Sequence, residues 1–234
     1  MPENTVDSPR IGILVVAYNA ATTLEPTLDR IPASFARRLT DVLVCDDASV
    51  DETYSVGVKD KSTSTLPLTV IKHRRNRGYG GNPGKPSEEG LAADADAAVT
   101  TLRDLGYPPR RVLYFGESLG SGVVAALQAR HPPAGIVLRS PFTELADVGA
   151  HHYPWLPVRL LLRDRFPVEA HVAAGDVPVT VVYGDRDSVV PAELSARVAD
   201  RARVLAERVV IPGADHNDPV MFGPPVVDAV ARLG

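Results

Sequence analysis

The sequence holds a single cysteine, Cys45, among 234 residues, with two methionines, one tryptophan and only 6% aromatic residues. One cysteine excludes an internal disulfide and suggests a reducing compartment. The longest apolar run, Ile11–Ala17, falls far short of the roughly 20 residues that cross a bilayer. Positive charge is not in excess either. Lys and Arg number 25 against 29 Asp and Glu, a formal net charge of −4, which leaves no electrostatic footprint for nucleic acid. Residues 1–10 are polar, so no secretory signal is expected before the first apolar run. Nor is there a period of about 20–50 residues of the kind that builds solenoids. What remains is a globular composition, 44% hydrophobic and 23% charged. The length suits one sizeable core and is short for two complete catalytic domains. These features predict a cytoplasmic protein folding as one α/β domain over residues 1–234.

The composition shifts near residue 80. Lys59, Lys61 and Lys72 precede it, Lys85 is the last lysine, and 16 of 21 prolines follow residue 82. Buried-strand patterns, continuous and rich in β-branched residues, occur at Ile11–Ala17, Asp41–Cys45, Leu68–His73, Arg111–Phe115, Gly135–Arg139, Val177–Tyr183 and Ala206–Ile211. Helical stretches lie between them. Thr22 with Glu25 reads as a capping box for a helix to Arg30, and Ser87 as the N-cap of one running to Leu105. Repeated strand–helix units predict a doubly wound, mostly parallel sheet of about seven strands with helices on both faces. An aromatic- and proline-containing excursion, residues 151–168, follows the fifth strand.

Gly116-Glu117-Ser118-Leu119-Gly120 falls at a strand-to-helix junction, the context required of a G-x-S-x-G nucleophile elbow. The tight turn calls for glycine on either side, lifts the Ser118 hydroxyl clear of the sheet, and aims the Leu119 N–H at a developing oxyanion. A serine hydroxyl needs a base oriented by an acid. Loops after later strands offer Asp185 and Asp187, then His216, in the order Ser, Asp, His. Asp187 is favoured because it lies further along its loop, leaving Asp185 to shape the turn. Asp215 and Asp218 read as capping or solvating the last helix, Cys45 as a buried thiol without catalytic role, and Asp94-Ala95-Asp96 as a solvated helix face rather than a metal site.

These residues resemble the α/β-hydrolase superfamily, in its small acyl-hydrolase branch related to ABHD-type and prolyl-oligopeptidase-like enzymes. The motifs RGYGGNPGKPSEEGL, FGESLGSG, LRSPFTELADV, YPWLPVRLLLRDRF, YGDRDSVVP and GADHND occur in that order over residues 77–234. The resemblance implies Ser118 as nucleophile, Asp187 as acid, His216 as base, a small-molecule ester or thioester substrate, and no cofactor or metal. It also implies that residues 151–168, with Tyr153 and Trp155, form a short lid.

The His-Gly loop that usually donates the second oxyanion N–H in that family does not occur. Residues 10–82 instead resemble the nucleotide-binding half of a family-2 glycosyltransferase with the GT-A fold, through VVAYN (15–19), VCDDAS (44–49) and NRGYGGN (76–82). That likeness implies nucleotide-sugar contacts from Tyr18, Asn19, Asp46 and Asp47. The two patterns meet at RGYGGN, which suggests a recombinant joined there, with strands ordered 3-2-1 and the Ser118 strand beside the first. The backbone N–H of Asn19 or Ala20 would then supply the missing oxyanion donor. Three functional readings follow: a serine hydrolase, a nucleotide-sugar binder or vestigial glycosyltransferase, and an inactive fusion.

Overall fold

A computed structural model describes residues 11–17, 20–22, 24–29, 31, 33–37, 39–46, 49–72 and 87–234. The expectations for Tyr18, Asn19, Asp47 and the RGYGGN segment lie outside these residues. Seven strands lie among the described residues: β1 (Ile11–Ala17), β2 (Leu39–Asp46), β3 (Leu68–Lys72), β4 (Leu113–Glu117), β5 (Gly135–Arg139), β6 (Val179–Gly184) and β7 (Leu205–Ile211). Every pairing between them is parallel. The chain divides into two compact units, one within residues 1–76 and the other spanning 77–233.

The strands form two sheets, ordered β1-β2-β3 and β4-β5-β6-β7, and not one sheet of seven. The expected 3-2-1 order holds in the first. Among the described residues the Ser118 strand, β4, pairs with β5 and not, as was expected, with β1. β4 is an edge of its own sheet, and its Phe115 is 46% exposed, unlike a strand covered on both sides.

In the second unit, buried strands explain the unbroken apolar runs of the sequence. All of β5 and β6 is buried. Side chains alternate between two cores because successive residues of a strand face opposite ways. Ile136, Leu138, Val179 and Val181 pack into one core with Phe142, Phe166 and Val198, while Val137 and Val182 pack into the other with Met221 and Ala229. Helices therefore cover both faces, the doubly wound arrangement. The helix Glu88–Asp104 begins where expected, with the Ser87 hydroxyl accepting from the Gly90 N–H at 3.0 Å. Asp96 lies within this helix and pairs with Arg130 at 3.0 Å.

The helix Thr53–Thr63 buries Thr53, Gly57 and Asp60, so it carries no apolar stripe to announce itself in the sequence. The excursion after β5 holds a short helix at Val158–Leu161 and another at Val168–Ala174. No helix among the described residues is long and apolar enough to cross a membrane.

Phe166 is fully buried, holds a positive φ of 46°, and its ring lies where a Cβ on Gly122 would stand 2.7 Å away. Phe166→Ala would open a cavity between the excursion and the helix Leu119–Leu127. The expected loss is about 3–5 kcal/mol, measured as a fall in the urea midpoint of the second unit by far-ultraviolet circular dichroism.

Candidate active site

Three loops leave the carboxyl ends of β4, β6 and β7, the edge at which open parallel sheets place their sites. Ser118 follows β4 and opens the helix Leu119–Leu127 with φ 49° and ψ −117°. This is a strained conformation for a residue with a side chain. Its N–H donates to the Arg139 carbonyl at 2.9 Å, and its own carbonyl accepts from the Ser121 N–H at 3.0 Å. Leu119 is the first helical residue, so its N–H has no intrahelical acceptor.

The two glycines of the elbow are not equivalent. A Cβ on Gly116 would lie 2.5 Å from Val124 Cγ2 and 2.7 Å from the Gly120 carbonyl oxygen, whereas one on Gly120 would meet nothing within 4 Å. The turn requires glycine before the serine only, which corrects the expectation of a requirement on both sides.

Asp187 and His216 come together. His216 Nδ1 donates to Asp187 Oδ2 at 2.7 Å, and both side chains are buried. Asp187 Oδ1 accepts from the N–H groups of Val189 and Val190 at 3.0 and 2.7 Å. Burial pushes the Asp187 carboxyl up, but the hydrogen bonds from His216 and the Val190 N–H outweigh it and hold the group below its ordinary value. Asp187 is thus a carboxylate throughout the neutral range.

Neighbouring carboxylates fix the two loops to each other. Asp185 Oδ1 accepts from the Gly213 N–H at 2.6 Å. Asp215 Oδ1 accepts from the N–H groups of Ser188 and His216, both at 2.7 Å, and from the Ser188 hydroxyl at 2.8 Å. Asp218 Oδ2 in turn accepts from the Asp215 N–H at 2.8 Å. Asp215 therefore ties the two loops and Asp218 braces its own, where capping or solvation of the last helix was expected. Gly184 makes the close approach possible, since a Cβ there would sit 2.2 Å from the Ala214 carbonyl oxygen.

The Ser118 hydroxyl makes no hydrogen bond to His216 or another described residue, so the serine and the Asp–His pair stand as two parts. One residue missed in the sequence links them. Arg139, 1% exposed at the end of β5, accepts from Ser118 N–H through its carbonyl and donates from Nη1 to the His216 carbonyl at 2.9 Å. Its Nη2 pairs with Glu117, its partner in the β4–β5 register, and its guanidinium lies 4.3 Å from the Phe222 ring centre.

The remaining expected residues are placed as follows. The Ala20 N–H donates to Thr53 Oγ1 at 2.7 Å within the first unit. Asp46 is buried, accepts from the Ser49 N–H at 3.1 Å and lies 3.5 Å from Lys72 Nζ. Tyr153 and Trp155 stack edge-to-face at 6.5 Å and stand out to solvent, Trp155 being 78% exposed. The segment is joined to the acid loop by His152 Nε2, which donates to the Val189 carbonyl at 2.8 Å. An open groove of about 390 Å³ beside Glu144, Asp147, Arg159 and Glu169 includes none of Ser118, Asp187 and His216.

A doubly wound parallel sheet with a strained serine at a strand–helix turn, and an Asp–His pair beyond two later strands, is the architecture of the α/β hydrolases. The chain shares the α/β-hydrolase fold and is similar in sequence to proteins of that family. It is 52% identical over 198 residues to the Mycobacterium tuberculosis protein Rv2307c, covering 82% of this chain and 68% of that one. It is 31% identical over 147 residues to the human alpha/beta hydrolase domain-containing protein 17B, covering 62% of this chain and spanning 50% of that protein's length. In fold it is similar to the esterase domain of a Rhodothermus marinus protein, with a TM-score of 0.52 at 17% identity over 97% of this chain and 84% of that one. Residues 12–83 match Glycosyl transferase family 2. The match to Rv2307c covers more residues than 77–234 contain, so it too reaches into the first unit.

Gly116→Ala is expected to cost about 1–3 kcal/mol through overpacking. Gly120→Ala, within a helix, should instead gain up to about 1 kcal/mol. Thermal midpoints of the two variants check this, and equal shifts would contradict it.

Proposed function

We propose that the protein is a serine hydrolase that cleaves a carboxylic ester or thioester through an acyl-enzyme on Ser118. The observation that carries this reading is the buried Asp187–His216 hydrogen bond, formed in the same unit and at the same sheet edge as the strained Ser118. The Ser118 hydroxyl attacks the acyl carbon while His216 Nε2 takes its proton. The Leu119 N–H faces the oxyanion of the tetrahedral intermediate. As that intermediate collapses, His216 returns the proton to the departing alcohol or thiol. Water, deprotonated by His216, then releases the acid and restores Ser118. Asp187 holds the Nδ1 proton and stabilises the imidazolium formed at each stage. No step uses a metal or organic cofactor. The exposed Tyr153 and Trp155 offer apolar surface to the acyl chain, in keeping with a short lid.

Fluorophosphonate labelling of the purified protein tests this directly. One covalent adduct per chain is expected, absent in Ser118→Ala, and Asp187→Asn should slow turnover about 10⁴-fold. Absence of labelling, or labelling that persists in Ser118→Ala, would sink the reading.

The family-2 match over residues 12–83 favours a second reading, a nucleotide-sugar site in the first unit. Asp46, at the carboxyl end of β2, is its described member. Titration with UDP and a divalent ion should then show saturable binding that Asp46→Asn weakens. Binding indifferent to that substitution would remove the reading.

A further inference from the structure

We propose that Arg139 is a positioning residue that holds His216 in register with Ser118, an inference that rests on the serine-hydrolase reading. One residue reaches both halves of the proton-transfer pair. Its carbonyl takes the Ser118 N–H at 2.9 Å, fixing the turn, and its Nη1 donates to the His216 carbonyl at 2.9 Å. The two hydrogen bonds run from one short piece of β5 to loops that are 98 residues apart in sequence. Glu117, immediately before Ser118, pairs with Nη2 across the β4–β5 register and supplies the counter-charge. Phe222 covers the guanidinium face at 4.3 Å.

Stability alone does not account for this arrangement. A buried guanidinium paired with a carboxylate that is 40% exposed loses its hydration for a partner that keeps much of its own, so an apolar residue of similar volume would serve stability as well, and the neighbouring positions on β5 are apolar. A guanidinium is suited to the task because its planar fork presents several donors in fixed directions. It can hold Glu117 and the His216 carbonyl at once. With the imidazole orientation fixed by Asp187 and its backbone fixed by Arg139, His216 has little freedom to drift from the serine.

The test uses Arg139→Lys and the paired variant Glu117→Gln/Arg139→Met, which leaves no unpaired buried charge. Hydrolysis of p-nitrophenyl acetate and the rate of fluorophosphonate labelling are measured with the thermal midpoint. A misplacement near 1 Å lowers turnover about 100-fold. The paired variant should therefore lose kcat on the order of 100-fold with KM unchanged and label Ser118 correspondingly slowly. Arg139→Lys, which keeps the charge and one donor, should recover part of that loss. If wild type labels at Ser118 but the folded paired variant keeps its kcat, the positioning role is wrong and the hydrolase reading stands. If both variants unfold, Arg139 serves stability and the proposal is overturned. If wild type does not label, the hydrolase reading fails first and takes this role with it.

Discussion

The 2.7 Å contact between Asp187 and His216 is the constraint on which the arrangement of the second unit turns. The two residues are 29 positions apart, and only adjacent β6 and β7 in fixed register can bring their loops together. That register runs from Thr180 opposite Glu207 to Gly184 opposite Ile211. It delivers both loops to the same end, where the absence of a side chain at Gly184 lets Ala214 come against the strand. Asp185 and Asp215 then lock each loop to the other, so Asp187 and His216 are held by backbone hydrogen bonds as well as by their own contact. A loose pair would gain little, because an imidazole free to rotate loses orientation faster than a single hydrogen bond can restore it.

Much of this edge is readable in the sequence, and the reason is local. The apolar runs of β5 and β6 are unbroken because both faces are covered. The Gly116–Gly120 motif is conspicuous because its strain needs a residue without Cβ at Gly116. Asp187 stands out from Asp185 by its place in the loop, and the structure shows Asp185 bound to Gly213 instead. Arg139 is silent by contrast. In LRSPF it looks like any cation ending a strand, and its role depends on partners 22 and 77 residues away. The division into two sheets is equally silent, because strand patterns report burial and not which strand lies beside which. The helix Thr53–Thr63 shows the converse limit, since a helix that buries threonine, glycine and aspartate has no hydrophobic period to read.

The first unit and the second carry different sequence likenesses. Residues 12–83 match the sugar-transferase family, while alpha/beta hydrolase domain-containing protein 17B is similar over 62% of the chain and Rv2307c is similar over 82%, a match that reaches into the first unit. The first unit has its own polar anchoring at strand ends. Asp46 at the end of β2 and Lys72 at the end of β3 pair across the register, and Lys72 also donates to the Ser49 carbonyl at 3.1 Å.

The second unit separates stability from chemistry along the strands. Its middle is apolar, with Val137, Leu138, Val181 and Val182 fully buried. Its carboxyl edge gathers what an apolar core would avoid: a buried guanidinium, a buried carboxylate, a buried imidazole, and positive φ angles at Ser118 and Ser140. Each of these is unfavourable alone. They form one connected run, with the Ser118 N–H on the Arg139 carbonyl, the Arg139 guanidinium against Glu117 and the His216 carbonyl, and His216 on Asp187. Strain and buried charge concentrated at one edge of an otherwise apolar sheet violate local rules in the way that functional sites do. The run of contacts from Ser118 to Asp187 draws on β4, β5, β6 and β7 together, so that the arrangement of this edge is built with the fold and not assembled upon it.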